Sequence, residues 1–139
     1  MVKKIQHIAI AVRNLDEAVR SYRDILGLEF IGEEVVPDQK VRVAFFRVGD
    51  SRLELLEATS PDSPIHSFVE KRGGGLHHVA FEVDDLPDAI RTLRHRGANM
   101  LTAEPVAGAH GALVAFAHPK SFANVLVELT QPGANGEKN

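Results

Sequence analysis

The sequence predicts an α+β fold built from two paired βαβββ modules, and two matching pairs of segments carry this prediction. The first pair is HIAIAVRNLDEAV, beginning at His7, and HVAFEVDDLPDAI, beginning at His78, which share a histidine, an apolar alternation and a Leu-x-x-Ala step. The second pair is RLELLEAT and LVELTQ, which place Glu54 opposite Glu128. The offsets are 71 residues for the first pair and 74 for the second. The chain therefore repeats one order of elements, with a short insertion in the second copy.

The first copy begins with an alternating strand at residues 5–12. A helix follows, because Asn14 and Glu17 are spaced as a capping box and Gly27 ends the run. Four apolar or aromatic residues at helical spacing are expected to face inward: Leu15, Val19, Tyr22 and Leu26. Strands are expected at residues 28–35, 41–48 and 52–58, separated by Pro-Asp and Gly-Asp turns.

The second copy repeats this order. Asp85 caps a helix with Pro87 in its first turn and Gly97 at its end. Strands are expected near residues 99–104, 113–117 and 124–130. A short helix at about 64–71 and a glycine run link the copies. We therefore expect a single domain over residues 1–131, with repeats at about 1–60 and 75–131, a linker at about 61–74 and a frayed tail at 132–139.

Composition limits the classes of partner. The net charge of the 139-residue chain is −3 and it has no long basic run, which argues against nucleic acid or an anionic membrane as the partner. The chain has no cysteine, so disulfides, thiolate metal sites and cysteine nucleophiles are excluded. We expect a cytoplasmic protein, because we find neither a spanning apolar stretch nor a signal peptide.

Four polar residues recur at matching positions inside apolar strands: His7, Glu54, His78 and Glu128. Taken singly, each is typical of a surface residue, but their joint recurrence in both copies favours a shared metal site. Two imidazoles and two carboxylates suit an octahedral divalent ion with positions left for water or substrate. Neighbouring strand residues point to opposite faces, so His77 is expected to lie on the other face from His78, as a surface group or a group behind the ligands.

These residues make the sequence similar to the vicinal oxygen chelate (glyoxalase-like) superfamily, and most of all to its methylmalonyl-CoA epimerase family. The segments that carry the resemblance span nearly the whole chain: HIAIAV, RDILGLEF, VGDSRLELLEATSPDSPI, GGGLHHVAFEVDD, GAHGALVAFAHPK and VLVELTQ. The resemblance implies a metal-dependent isomerase that interconverts (2R)- and (2S)-methylmalonyl-CoA. It also implies a homodimer and a divalent ion, typically cobalt in assays, with Mn, Ni, Zn or Fe as alternatives.

The resemblance carries the metal ligands over to His7, His78 and Glu128, whereas Glu54 stands where the family has Gln or Glu. Some bacterial members carry a glutamate base in a segment like EQGVRE, and DQKVRV here puts Val43 at that position. Valine cannot transfer a proton, so one base is unassigned. Glu128 and a bound water both remain open as proton carriers.

Four further residues are expected to bind substrate. His110 lies in GAHG, and Lys120 with Ser121 follows HP, in a segment expected to cover the site. Gln39 is expected at its mouth. Each of these residues is also typical of an exposed turn that has no functional role. Two other functions remain open on the same fold: a glyoxalase I-type lyase and a drug-sequestering binding protein, although the latter often lacks the four ligands.

Overall fold

The computed structural model describes residues 1–133, and their chain forms two compact units. The first unit is His7–His77, and the second unit combines Met1–Gln6 with the chain from His78 onward. The first strand is therefore divided between the units, which the predicted repeat boundaries did not anticipate. Single-domain organisation stays a prediction. Of the predicted frayed tail, residues 134–139 lie outside the described residues, and Pro132 and Gly133 have no regular secondary structure.

The first unit has the predicted order of elements. They are β1 (Val2–Ala11, from His7 onward), α1 (Leu15–Arg20) continued by a π-helical turn (Ser21–Ile25), β2 (Glu29–Val36), β3 (Val41–Val48), β4 (Ser51–Ala58) and α2 (Pro64–Arg72). The strand order is β2-β3-β4-β1, in which β4 and β1 are parallel and the other pairs antiparallel. The helix predicted at about 64–71 forms and extends to Arg72.

Helix α1 begins where the sequence predicts. The Asn14 side chain accepts a hydrogen bond from the Glu17 N–H at 3.0 Å, and the Glu57 carboxylate accepts one from the Leu15 N–H at 3.0 Å. The helix then widens, because the Leu26 N–H donates to the Ser21 carbonyl five residues earlier. This π-helical turn rotates the following side chain away from the core. The expectation that Leu26 faces inward is therefore wrong, since it is 62% exposed.

The second unit repeats the order with a shorter strand after its helix. Its elements after β1 are β5 (Gly75–Val83), α3 (Leu86–His95), β6 (Val106–Ala107), β7 (Leu113–Ala117) and β8 (Leu126–Gln131). The strand order is β1-β5-β8-β7-β6, with β5 and β8 parallel and the β8–β7 and β7–β6 pairs antiparallel. The Asp85 side chain accepts from the Asp88 N–H at 3.0 Å and caps α3 as predicted.

The strand predicted at residues 99–104 is not formed. Only Met100 makes an isolated bridge, to Ala117, and the paired strand is β6 further along the chain. The Leu101 and Thr102 N–H groups both point to the Phe116 carbonyl, at 2.8 and 3.3 Å. Two successive donors on one acceptor cannot continue a ladder, in which successive residues bond alternately.

Each unit buries one face of its sheet under one helix. In the first unit, Leu15 and Val19 of α1 pack with Leu55 of β4 in one apolar cluster. In the second unit, Leu86 of α3 packs with Leu129 of β8 in the corresponding cluster. Burying each such side chain contributes about 1.5–3 kcal/mol. Because strand side chains alternate, the residues just before Leu55 and Leu129 point to the opposite face of each sheet.

No helix among residues 1–133 combines the length and the apolar character that a membrane span requires.

Candidate functional site

In the first unit, strand register brings His7 and Glu54 together. Residue His7 pairs with Arg52, and Ala9 pairs with Glu54, along the parallel β1–β4 pair. Since His7 and Ala9 lie on one face and cross-strand partners share a face, the His7 and Glu54 side chains are neighbours. The His7 Nδ1 atom lies 3.2 Å from Glu54 Oε2, and both side chains are buried.

The second unit repeats this register residue for residue. His78 pairs with Leu126, and Ala80 pairs with Glu128, along the parallel β5–β8 pair. The His78 Nε2 atom lies 2.9 Å from Glu128 Oε1, and both side chains are buried. The histidine–carboxylate pairs found by sequence repetition are thus equivalent positions of the two strand pairs.

The second unit places two predicted ligands side by side, since the nearest ligand atoms of His78 and Glu128 are 2.9 Å apart. In the first unit His7 lies in the same way beside Glu54. Neutral imidazoles with a carboxylate are a common donor set for first-row divalent ions. Two ligands on adjacent corners of an octahedron, each about 2.1 Å from the ion, lie about 3 Å apart. The 2.9 Å separation of the His78 and Glu128 atoms fits that spacing.

Burial strengthens the argument for a cation. Glu128 is only 6% exposed. Moving an ionised carboxylate out of water is unfavourable unless a positive charge or hydrogen-bond donors compensate for it. A divalent ion would supply that compensation, so the residues present fit the metal that the resemblance implies.

The parity prediction for the adjacent histidines agrees with the structure. His78 is buried, whereas His77 is half-buried and its ring meets the ring of Phe68 on α2 edge-on, with centroids 4.9 Å apart. His77 thus packs on a helix. Its repeat counterpart Gln6 is buried.

Sequence reasoning missed one buried charge, the guanidinium of Arg52. Its Nη2 atom lies 3.2 Å from Glu54 Oε2, and its Cζ atom lies 5.0 Å from the centre of the Phe45 ring. The side chain is 6% exposed. The sequence contained a signal: Arg52 stands two residues before Glu54 in an apolar strand, and therefore on the same face.

Val43 lies on the face that carries Glu54. It pairs with Leu56 across the β3–β4 ladder, and Phe45 pairs with Glu54 itself. Cross-strand partners share a face, so the Val43 side chain occupies the side of the sheet where a glutamate base would be useful. Val43 is buried and apolar and supplies no proton.

The four predicted substrate-binding residues lie in short 3₁₀ turns. Gln39 is half-buried at the end of the turn Pro37–Gln39. His110 is exposed, with a left-handed φ of 57°. Lys120 is exposed, and the hydroxyl of neighbouring Ser121 accepts a hydrogen bond from the Asn99 N–H at 2.9 Å. Substrate binding by these residues stays a prediction.

Comparison with known proteins adds independent information. Residues 6–116 match the profile of the Glyoxalase/Bleomycin resistance protein/Dioxygenase superfamily. The ethylmalonyl-CoA/methylmalonyl-CoA epimerase of Cereibacter sphaeroides is 42% identical over 133 residues, which cover 94% of this chain and 99% of that protein. The mitochondrial methylmalonyl-CoA epimerase of Homo sapiens is 40% identical over 129 residues, covering 92% of this chain and 73% of that protein.

Solved structures agree with these relatives. A methylmalonyl-CoA epimerase in complex with methylmalonyl-CoA and NH4+ is 36% identical, covers 100% of both chains and superposes with a TM-score of 0.93. The predicted α+β fold of two βαβββ modules is therefore confirmed. The chain belongs to the glyoxalase/bleomycin resistance protein/dioxygenase superfamily and, within it, to the methylmalonyl-CoA epimerase family.

Proposed function

We propose that this protein is an isomerase that interconverts (2R)- and (2S)-methylmalonyl-CoA, using a divalent ion held by His7, Glu54, His78 and Glu128. The observation that carries the proposal is the pair of register-equivalent, buried histidine–carboxylate contacts. Relatives of about 40% identity that bear the name methylmalonyl-CoA epimerase support it over more than nine-tenths of the chain. The structural neighbour that binds methylmalonyl-CoA supports the substrate class.

The chemistry asks for a site of this kind. The proton at C2 lies α to a thioester carbonyl, and its removal places negative charge on the thioester oxygen. A bound divalent ion supplies Lewis-acid stabilisation of that charge. Burial of the four side chains keeps the surroundings poor in water, where electrostatic interactions are stronger than in bulk solvent.

We propose Glu128 as the acid/base group of the chain. Its Oε1 atom is held at 2.9 Å from His78, so the carboxylate has a fixed position for exchanging a proton with C2. Val43 cannot take the proton on the first-unit side. Epimerisation requires delivery to the opposite face of C2, and a water molecule is the partner we propose for that step.

The residues proposed to bind the substrate are chosen for their charge and hydrogen-bonding groups. Lys120 offers a positive charge for the substrate carboxylate or a CoA phosphate, and a serine hydroxyl that accepts one hydrogen bond can still donate one. We propose that Lys120, Ser121, His110 and Gln39 bind the substrate from the turns that hold them.

Metal identity, assembly and location complete the proposal. Cobalt is the ion we expect to support activity in vitro, with Mn, Ni, Zn or Fe as alternatives, because the donor set suits all of them. Family resemblance supports a homodimer. We also propose a cytoplasmic location, which is the expectation drawn from the sequence.

Deuterium exchange tests the function. The purified protein is loaded with Co²⁺ and given methylmalonyl-CoA in D₂O, and deuterium at C2 is followed by mass spectrometry. We expect incorporation at C2, and its abolition by EDTA. Absence of exchange, together with turnover of the methylglyoxal–glutathione hemithioacetal, would show that the chain is a glyoxalase-type lyase instead.

A further inference from the structure

The two strand pairs differ at one position next to the candidate site. The partner of His7 across its ladder is Arg52, whereas the partner of His78 across the equivalent ladder is Leu126. Arg52 and Glu54 are two residues apart on one face of β4, so the first-unit carboxylate has a cation beside it. At the equivalent position the second-unit carboxylate has an aliphatic side chain.

Arg52 is a buried arginine that contacts both a carboxylate and an aromatic ring. Its side chain is 6% exposed, its Nη2 atom lies 3.2 Å from Glu54 Oε2, and its guanidinium stands over the Phe45 ring at 5.0 Å. Removing a guanidinium from water is unfavourable, and the carboxylate and the ring face both offset that cost. The same Glu54 oxygen also lies 3.2 Å from His7 Nδ1. One carboxylate oxygen therefore contacts both a candidate ligand and a buried cation.

Formal charges show what this arrangement does. A divalent ion with neutral histidines, Glu128 and Glu54 has a net charge of zero. The positive charge of Arg52 raises that total to +1, which is the value that a neutral amide at position 54 would give without an arginine. An anionic substrate that gains negative charge as the proton leaves is stabilised by a positive site.

We propose that Arg52 is a positioning residue that acts through Glu54: it offsets the charge of that carboxylate, so that position 54 behaves as a neutral ligand towards the metal and the anionic substrate. This inference rests on the proposed metal site.

A charge cycle tests the inference. We compare the unchanged protein with Arg52→Met, Glu54→Gln and the double variant, and measure Co²⁺ affinity by titration calorimetry and the KM for methylmalonyl-CoA. Arg47→Met is the matched control, because Arg47 is the cross-strand neighbour of Arg52 but contacts Glu29 near the surface. Arg52→Lys keeps the charge and should remain close to the unchanged protein.

The expected pattern is compensation. Glu54→Gln should weaken Co²⁺ binding by about tenfold or more, in the range seen when partners of metal ligands are changed. Arg52→Met should bind Co²⁺ at least as tightly as the unchanged protein and raise KM by about tenfold. The double variant restores the net charge, so both quantities should return to within about threefold of their original values. Arg47→Met should change neither.

Several outcomes would overturn the inference. A double variant whose losses are the product of the single losses would show that Arg52 serves structure alone, while the deuterium exchange of the unchanged protein would leave the proposed function standing. If Arg52→Met does not fold, Glu54→Gln and the double variant still decide: a double variant that binds Co²⁺ no better than Glu54→Gln contradicts charge offset. Absence of Co²⁺ binding by the unchanged protein would remove the proposed metal site, and the inference with it.

Discussion

The parallel strand pairs β1–β4 and β5–β8 use one register to place two different environments. In both pairs a histidine lies two residues before an alanine, and that alanine pairs with the glutamate. Each glutamate is also paired with a phenylalanine on the antiparallel neighbouring strand. Phe45 of β3 pairs with Glu54, and Phe116 of β7 pairs with Glu128. The comparison shows that matching register places a histidine beside a glutamate in each unit, while the residue two positions before each glutamate sets the charge next to it.

The two phenylalanines show how the surroundings of the two glutamates differ. The Phe45 ring lies beneath the Arg52 guanidinium at 5.0 Å, whereas the Phe116 ring meets the His78 ring edge-on with centroids 5.8 Å apart. Glu54 thus has a cationic neighbour from its own strand, and Glu128 has none at the equivalent position. This difference supports our proposals that Glu128 transfers the proton and that Glu54 is a charge-compensated ligand.

The largest effect is expected from breaking the second-unit pair. The change His78→Ala should weaken Co²⁺ binding by at least about 100-fold. Replacing a residue that only hydrogen-bonds to a metal ligand already lowers metal affinity by about 10- to 100-fold. The matched control is His77→Ala, because the His77 ring packs against Phe68. Its Co²⁺ affinity should stay within about threefold of that of the unchanged protein. Titration calorimetry distinguishes the two, and equal loss in both variants would contradict the assignment by strand parity.

The two glutamates should differ in their effect on turnover. Glu128→Gln removes the proposed base and should lower kcat by about 10²- to 10⁴-fold, the usual range for general acid–base groups. Glu54→Gln should lower kcat less, by about tenfold, when Co²⁺ is saturating. Steady-state kinetics at several Co²⁺ concentrations measure both, and a smaller loss for Glu128→Gln than for Glu54→Gln would reverse our assignment.

The equivalent core leucines should behave alike. Leu55 and Leu129 stand at matching positions of the two copies and are both buried under a helix. Changing either to alanine should lower the free energy of unfolding by about 2–5 kcal/mol, measured by urea denaturation. Leu26→Ala is the control and should change it by less than about 0.5 kcal/mol, because this side chain is exposed. A small effect at only one core leucine would show that the units are not packed equivalently.

The smallest effect concerns an exposed contact of the first unit. Lys40 Nζ and Ser60 Oγ donate to the Asp62 carboxylate and lower its pKa to about 2. A lowered pKa stabilises the folded state above about pH 4, and that contribution is lost as the pH falls towards 2. The melting temperature of Asp62→Asn should therefore lie slightly below that of the unchanged protein at pH 7, with the gap closing on acidification. A gap that is independent of pH would contradict this.

Much of the fold and site follows from local signals that tertiary packing does not override. Strand β3 has the predicted bounds, and the helix caps at Asn14 and Asp85 form as expected, because alternation and capping depend on neighbouring residues. The recurring His7, Glu54, His78 and Glu128 are all buried polar residues. Repetition could indicate them because equivalent positions of two like modules lie in like surroundings.

Other features depended on interactions that no local pattern contains. The π-helical turn that exposes Leu26 is a hydrogen-bond choice within a continuous helical pattern. Residues 99–104 do not form the predicted strand, because two successive N–H groups share the Phe116 carbonyl. The spacing of Arg52 and Glu54 puts both on one face of the strand, but it does not show that the guanidinium is buried there.

The central claim is that matching halves of the repeat supply ligands to one divalent ion. Cobalt K-edge X-ray absorption on the loaded protein tests it most directly, because imidazole ligands give a countable scattering signature. We predict one Co²⁺ per chain with two imidazoles in the unchanged protein, and at most one imidazole per bound ion in His7→Ala. A His7→Ala variant that retains two imidazoles per ion and full Co²⁺ affinity would contradict the account.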